Sequence, residues 1–255
     1  NGEVEVNEYW DIRYPHEPDV LGDEGEIIAE VRRLLENAVR IRLMSDVPLG
    51  AFLSGGLDST AIVSYMTRHM NQRVKTFAIG FEDDPTFNEL EYARLVAREY
   101  RTDHHEFIVR PNAIDLLPKL VWHHDQPFGD SSAIPTYLLS KLTRSHVTVA
   151  LTGDGGDELF AGYERFVATR LAEAYRDAPL FVRLVLSGLL RSLPESASYD
   201  SFVRRARRFI EYAPLPLSLG YLGWVGVFQK DFVGDLLDNW AGMDPAVHFQ
   251  SYFDR

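Results

Sequence analysis

The amino-acid sequence predicts an α/β fold: a parallel β-sheet with helices on both faces, followed by a C-terminal helical region. Between residues 26 and 166, short apolar runs alternate with segments of helical periodicity. Strands separated by helices of this length need crossover connections, and right-handed crossovers give a parallel sheet covered on both sides. Two glycine-rich loops, 54–59 and 152–158, each directly follow an expected strand. Ligands of such sheets sit beyond the carboxyl ends of strands, near a switch in strand order.

In chain order, residues 1–25 form an extended lead-in segment interrupted by Pro15, Pro18 and Gly22. Residues 26–44 are helical: Ile27, Val31, Leu34, Leu35, Ala38, Val39 and Ile41 recur at helical spacing, and Asp23 is a candidate cap. Val47–Leu53 is a short buried strand, and Asp58–Met70 the helix after it. Val74–Phe81 and Asn88–Tyr100 repeat the strand–helix unit, and His105–Val109 is a third strand. Helices follow over Ala113–His124, with Pro118 at a bend, and from Pro135 to Arg144. Val147–Leu151 is the fourth strand, and the chain is helical again from Glu158. Beyond about residue 167 the alternation stops. Pro179, Pro194, Pro214, Pro216 and Pro245 punctuate apolar helical pieces, so residues 167–255 form the helical region.

Composition excludes several classes of function. The 255 residues carry 26 basic and 38 acidic side chains, a net charge of -12, which repels nucleic-acid backbones. Arg204, Arg205, Arg207 and Arg208 read as the solvated face of a helix whose buried side is Phe202, Val203, Ala206, Phe209 and Ile210. No run of 18 apolar residues and no signal-peptide pattern occurs, which points to a soluble, cytoplasmic protein without a membrane partner. With no cysteine, disulfides, thiolate metal sites and a cysteine nucleophile are excluded within this chain. The first residue is Asn1, which suggests a piece of a longer polypeptide.

The loop Ser54-Gly55-Gly56-Leu57-Asp58-Ser59 lies between a strand and a helix. Two glycines let backbone N–H groups converge on an anion, and the helix start adds positive potential. Ser54 and Ser59 add hydroxyls. Asp58 beside a phosphate calls for a metal ion between them, so it reads as a magnesium ligand. No lysine follows the glycines, unlike the phosphate loop of kinases and GTPases. An ordinary strand-to-helix turn capped by Asp58 or Ser59 is the alternative. The second loop runs from Thr152 to Glu158 and holds three glycines and three acids. Repulsion among Asp154, Asp157 and Glu158 is relieved by a cation or a proton. Asp157 is a candidate ligand of a second magnesium, Asp154 a candidate base or ammonium-orienting group, and Glu158 a first-turn helix acid.

Five segments in order resemble the asparagine synthetase family: Asp46–Ser59, Thr76–Phe81, His104–Glu106, Asp125–Asp130 and Gly153–Tyr163. The resemblance runs from about Tyr9 to Phe166 and implies an adenine nucleotide α-hydrolase-like, ATP-pyrophosphatase core over 26–166. It implies that ATP and Mg2+ activate the side-chain carboxylate of aspartate as an aspartyl-adenylate, and that ammonia then displaces AMP. By that likeness Leu53 and Ile79 touch adenosine, Thr152 and Gly153 line the ribose or α-phosphate side, and Asp58 and Asp157 hold magnesium and pyrophosphate. Ser54, Gly55, Gly56 and Ser59 grip the pyrophosphate, and Asp154 stands where many relatives have glutamate. Ammonia is expected from glutamine through an N-terminal glutaminase domain that this chain lacks, with 1–25 as the junction; a homodimer is compatible with this reading. The family's later, lysine-bearing segment is not recognisable; Lys230 does not resemble it.

Two other readings stay open. A ring-forming relative, such as a β-lactam synthetase or lasso-peptide cyclase, shares the adenylating core. A non-catalytic nucleotide-binding module would not need Asp58, Asp154 and Asp157. His104, His105, His123 and His124 read as structural or adenine-side residues, because adjacent side chains diverge and nothing completes a four-ligand metal site. The loop Asp125–Ser132 either shapes the aspartate pocket or caps the next helix, and Trp122, Tyr137 and Phe160 are assigned to the core.

Overall fold

The computed structural model describes residues 4–5, 7–12, 22–82, 88–110, 113–126, 128–193, 202–226 and 245–253. Pro15, Pro18, Pro194 and Lys230, singled out above, and Pro127 of the loop Asp125–Ser132 lie outside the described residues. The chain runs α1 (Glu24–Arg42), β1 (Leu49–Phe52), α2 (Leu57–His69), β2 (Lys75–Phe81), α3 (Leu90–Glu99) and β3 (Asp103–Val109). It continues through α4 (Ala113–His124), α5 (Ala133–Thr143), β4 (Val149–Leu151), α6 (Gly156–Phe160) and α7 (Glu164–Asp177). Then come α8 (Leu180–Ser192), α9 (Phe202–Tyr212), α10 (Leu217–Val225) and α11 (Pro245–Phe253). Two compact units result: Asn1–Ile114 with Ile134–Gly153, and Asp115–Ala133 with Asp154–Arg255.

The first unit holds the sheet, in strand order β3-β2-β1-β4 with every neighbouring pair parallel. Right-handed crossovers through α2 and α3 step from β1 towards β3 and place both helices on one face. The return to β4 runs the other way and carries α5 on the opposite face. Val39, Leu53, Val63, Met66, Val74 and Phe77 fill the core between sheet and helices. Central strands buried on both faces read as continuous apolar runs, which is why Ala51, Phe77 and Ala78 are all buried. Asp23 caps α1 by accepting from the Gly25 N–H at 3.3 Å, and Glu24 and Glu26 in the first turn suit the helix dipole. Of the expected apolar face of α1, Val39 is buried and Leu35 packs on the core, whereas Ile27, Leu34 and Ile41 are exposed.

The second unit is helical, as expected of the C-terminal region. Its aromatic side chains stack: Phe209 on Trp224 with ring centroids 6.1 Å apart, and Tyr221 on Phe249 at 6.1 Å. Glu158 does not open a long helix. The short α6 ends at Ala161, which takes a left-handed φ of 57°, and α7 starts afresh at Glu164. The arginines of α9 are not merely a solvated face. Arg208 donates to the Gly223, Trp224 and Gly226 carbonyls at 2.9–3.4 Å, closing the C-terminal end of α10. Arg207 donates to the Leu190 carbonyl at 3.0 Å, and Arg205 pairs with Glu164 at 3.0 Å. On the expected buried side of α9, Ile210 is buried but Phe202 is exposed, because it sits at the helix's first residue, where no later turn covers it. The assignment of Trp122 and Phe160 to the core fails: they are 76% and 53% exposed. Trp122 makes an edge contact with His123 instead, and Phe160 closes the five-residue α6, too short to bury an apolar face.

Candidate functional site

The strand order reverses beside β1: β2 and β3 follow on one side, β4 on the other. Loops leaving the carboxyl ends of β1 and β4 therefore flank one crevice, the place where open α/β sheets receive ligands. Both glycine-rich loops arise there.

The first loop is locked by its own polar groups. The Gly56 N–H donates to Ser54 Oγ at 3.2 Å, Ser59 Oγ donates to the Gly56 carbonyl at 3.2 Å, and the two serine hydroxyls are 3.0 Å apart. Gly55 has φ 87°, and a Cβ there would lie 2.5 Å from the Tyr92 carbonyl carbon and Cβ, so only glycine fits against the start of α3. Gly56 is the N-cap of α2 and has no side chain to cap with. The N–H groups of Leu57, Asp58 and Ser59, first in α2, have no carbonyl of their own helix to bond. With the dipole of the 13-residue α2 behind them, they form an anion-receiving end.

Gly153, after β4, lies directly against this end. A Cβ on Gly153 would sit 2.9 Å from Asp58 Cβ and from the Ser59 nitrogen. The structure thus brings Ser54, Gly55, Gly56, Asp58, Ser59 and Gly153 together. Asp58 is half-buried and Ser59 buried. Leu53 is only 1% exposed, and its N–H donates to the Phe77 carbonyl at 2.8 Å, so its side chain belongs to the core and only backbone is left for a ligand. Ile79, on β2 opposite Phe107, and Thr152, after β4, are half-buried.

Asp154 and Asp157 open the second unit. Asp154 is exposed in the turn before Gly155, whose φ of 92° requires a glycine-like conformation. Asp157 is half-buried, and a Cβ on Gly162 would collide with its carboxylate. Glu158 does stand in the first turn of α6, where it accepts from the Tyr163 hydroxyl at 2.6 Å. That bond holds the Glu158 carboxyl below its ordinary range and pushes the Tyr163 hydroxyl up. The Arg165 guanidinium stacks 3.6 Å over the Tyr163 ring. Sequence reasoning missed Tyr92, Tyr163 and Arg165. For Tyr92 the signal was Gly55 itself, a glycine needing something backed against it.

Of the histidine pairs, His104 and His105 are half-buried and His123 and His124 exposed. His104 and His105 are the second and third residues of β3, not residues preceding the strand. His104 Nδ1 bonds Thr76 Oγ1 at 2.9 Å, and burial holds its ring below the usual histidine value. His105 stacks on Phe77 at 5.3 Å and meets His146 at a tilt, with ring centroids 4.4 Å apart. His124 stacks on Phe128 at 4.2 Å. In the loop 125–132, Asp130 Oδ1 accepts from the Ser132 N–H at 2.8 Å, just ahead of α5. Among the described residues no group of three or more His, Asp or Glu side chains is placed to hold a metal ion. That is compatible with magnesium, which binds through one or two carboxylates plus substrate phosphates rather than in a protein cage.

An open parallel sheet with glycine-bearing loops and a helix amino end at its switch point defines an α/β domain of the anion-receiving kind. The chain belongs to the asparagine synthase family, whose sequence model matches residues 30–236. It is 40% identical over 191 residues to a Methanocaldococcus jannaschii protein provisionally named asparagine synthetase (glutamine-hydrolyzing) 2, covering 73% of this chain. It is 31% identical over 241 residues to asparagine synthetase (glutamine-hydrolyzing) 1 of Bacillus subtilis, covering 94% of this chain. The chain spans about a third of the length of these relatives, 36% in each case. A solved structure, the NH3-dependent NAD synthetase of Campylobacter jejuni, aligns at 17% identity with a TM-score of 0.34, covering 56% of this chain and 62% of that one. No helix of the described residues is long and apolar enough to cross a membrane.

Proposed function

We propose that this chain is the ATP-using, amide-forming part of an asparagine synthetase. The observation that carries the reading is the packing of Gly153 on Asp58 and Ser59, which sets the loop after β4 against the anion-receiving start of α2. The family relation supports it.

In this reading the Leu57, Asp58 and Ser59 N–H groups and the Ser54 and Ser59 hydroxyls receive the β- and γ-phosphates as one pyrophosphate unit. Leu53 and Ile79 meet adenosine through backbone, and Thr152 and Gly153 border the ribose and α-phosphate. The aspartate carboxylate attacks the α-phosphorus; the bond to the bridging oxygen breaks, leaving aspartyl-adenylate and pyrophosphate. Asp58 and Asp157 would hold Mg2+, which neutralises charge on the departing pyrophosphate. Ammonia then adds to the acyl carbon, the C–O bond to AMP breaks, and Asp154 orients the amine or accepts its proton. Ammonia comes from a glutaminase unit of a longer protein, in keeping with the glutamine-hydrolyzing relatives. The test is amino-acid-dependent ATP–pyrophosphate exchange with a panel of carboxylates, on this chain and on the full-length product. Exchange with aspartate alone is expected. No exchange with any carboxylate from either protein would sink the reading.

A further inference from the structure

We propose a second anion site in the sheet-bearing unit, a cleft for a phosphate-class polyanion at the amino end of β2 and β3. An open surface groove of about 440 Å³ is lined by Arg73, Arg94, Arg98, Arg101, Thr102 and His104. That volume is of small-molecule size. Thr76 pairs with His104 at the start of the two strands, so the cleft lies at the other end of the sheet from the loops after β1 and β4.

Its chemistry is unusual for this chain. Four arginines line one groove in a protein of net charge -12. Arg94 is neutralised by Glu106, with two bonds of 2.7 Å, and also feels Glu91. Arg73, Arg98 and Arg101 have no side-chain hydrogen bond or ion pair among the described residues. Uncompensated guanidinium groups gathered in one concavity repel each other unless an anion joins them, and their planar forks suit phosphate oxygens. The floor is already ordered: the buried Thr76 hydroxyl is held between Thr102 Oγ1 at 2.8 Å and His104 Nδ1 at 2.9 Å.

The second, independent observation is the backbone of Arg101. It has φ 52°, and the Thr102 N–H donates to the Ala97 carbonyl at 3.0 Å while the Arg101 N–H donates to that of Arg98 at 3.3 Å. This pattern ends a helix with a left-handed residue, a position that favours glycine. Arginine there works against the local backbone, and such strain gathers where a side chain has a task. The strained turn and the cleft share one residue.

The experiment is titration calorimetry with inorganic tripolyphosphate in EDTA, so that no magnesium-dependent binding contributes. Arg101→Gly is the decisive variant because glycine relieves the turn: its thermal midpoint should equal or exceed that of the parent, while affinity falls at least about tenfold with the loss of a charge-assisted fork. Arg98→Glu should lower affinity further. Affinity unchanged in both arginine variants, or absence of tripolyphosphate binding by the folded parent, would overturn the site.

Discussion

Replacing Gly153 by alanine tests the geometry on which the functional reading rests. The added Cβ would lie 2.9 Å from Asp58 Cβ and the Ser59 nitrogen, and 3.1 Å from the Asp58 carbonyl carbon. Ordinary contact begins at 3.4 Å, so the two segments must separate by 0.5 Å (3.4 less 2.9). Two of the three obstructing atoms are main chain of the first turn of α2 and cannot rotate away. Overpacking of this kind costs about 1–3 kcal/mol, which in a chain of this size lowers Tm by roughly 2–4 °C per kcal/mol. A misplacement of about 1 Å in a reacting constellation costs on the order of 100-fold, so half that shift predicts roughly a tenfold loss of ATP–pyrophosphate exchange. The companion variant is Gly155→Ala, whose Cβ meets nothing within 4 Å but must adopt φ 92°. It carries backbone strain of about 1–2 kcal/mol without a collision. Exchange and Tm should both fall in Gly153→Ala, with exchange falling further than in Gly155→Ala at matched stability. A Gly153→Ala protein with parental Tm and exchange within twofold would refute the close approach.

Three other outcomes follow from the same structure. Asp58→Asn should abolish exchange and leave circular dichroism and Tm near parental values, since the half-buried side chain has no core role; unchanged exchange would remove magnesium from Asp58. Burial holds His104 below its ordinary value of 6.5, so the unfolded chain takes up this proton first as pH falls. Its contribution is full above about pH 6.5 and is lost below it, so His104→Gln should flatten the decline of Tm between about pH 6.5 and 5; an unaltered slope would contradict this. Arg208→Ala removes the donor to three carbonyls at the end of α10 and should cost about 1–2 kcal/mol in chemical denaturation; an unchanged denaturation midpoint would contradict the capping role.

The arginine cluster of α9 shows where sequence reasoning stops. Periodicity marks which residues of α9 lie on one side, but not whether a polar side meets water or another helix's carbonyls. The same limit misplaced Trp122 and Phe160: apolar character favours burial, yet burial needs a neighbour, and a short α6 or an edge position supplies none. The contact of His105 with His146 was invisible because 41 residues separate them and only the crossover to β4 brings them together.

The two glycine-rich loops mark the boundary most clearly. The sequence by itself determined that each follows a strand, that Ser54–Ser59 opens a helix, and that acids accompany the glycines. Those are local properties, encoded in backbone freedom, capping chemistry and side-chain period. Only the tertiary structure decided that β1 and β4 are neighbours, that Gly153 rests on Asp58 and Ser59, and that Gly55 backs onto Tyr92. Likewise, only the pairing of β2 with β3 gathers Arg73 with Arg94, Arg98 and Arg101. The reason is physical: strand order is set by how distant apolar faces share one core, and no local pattern in the chain records which strand will lie beside which.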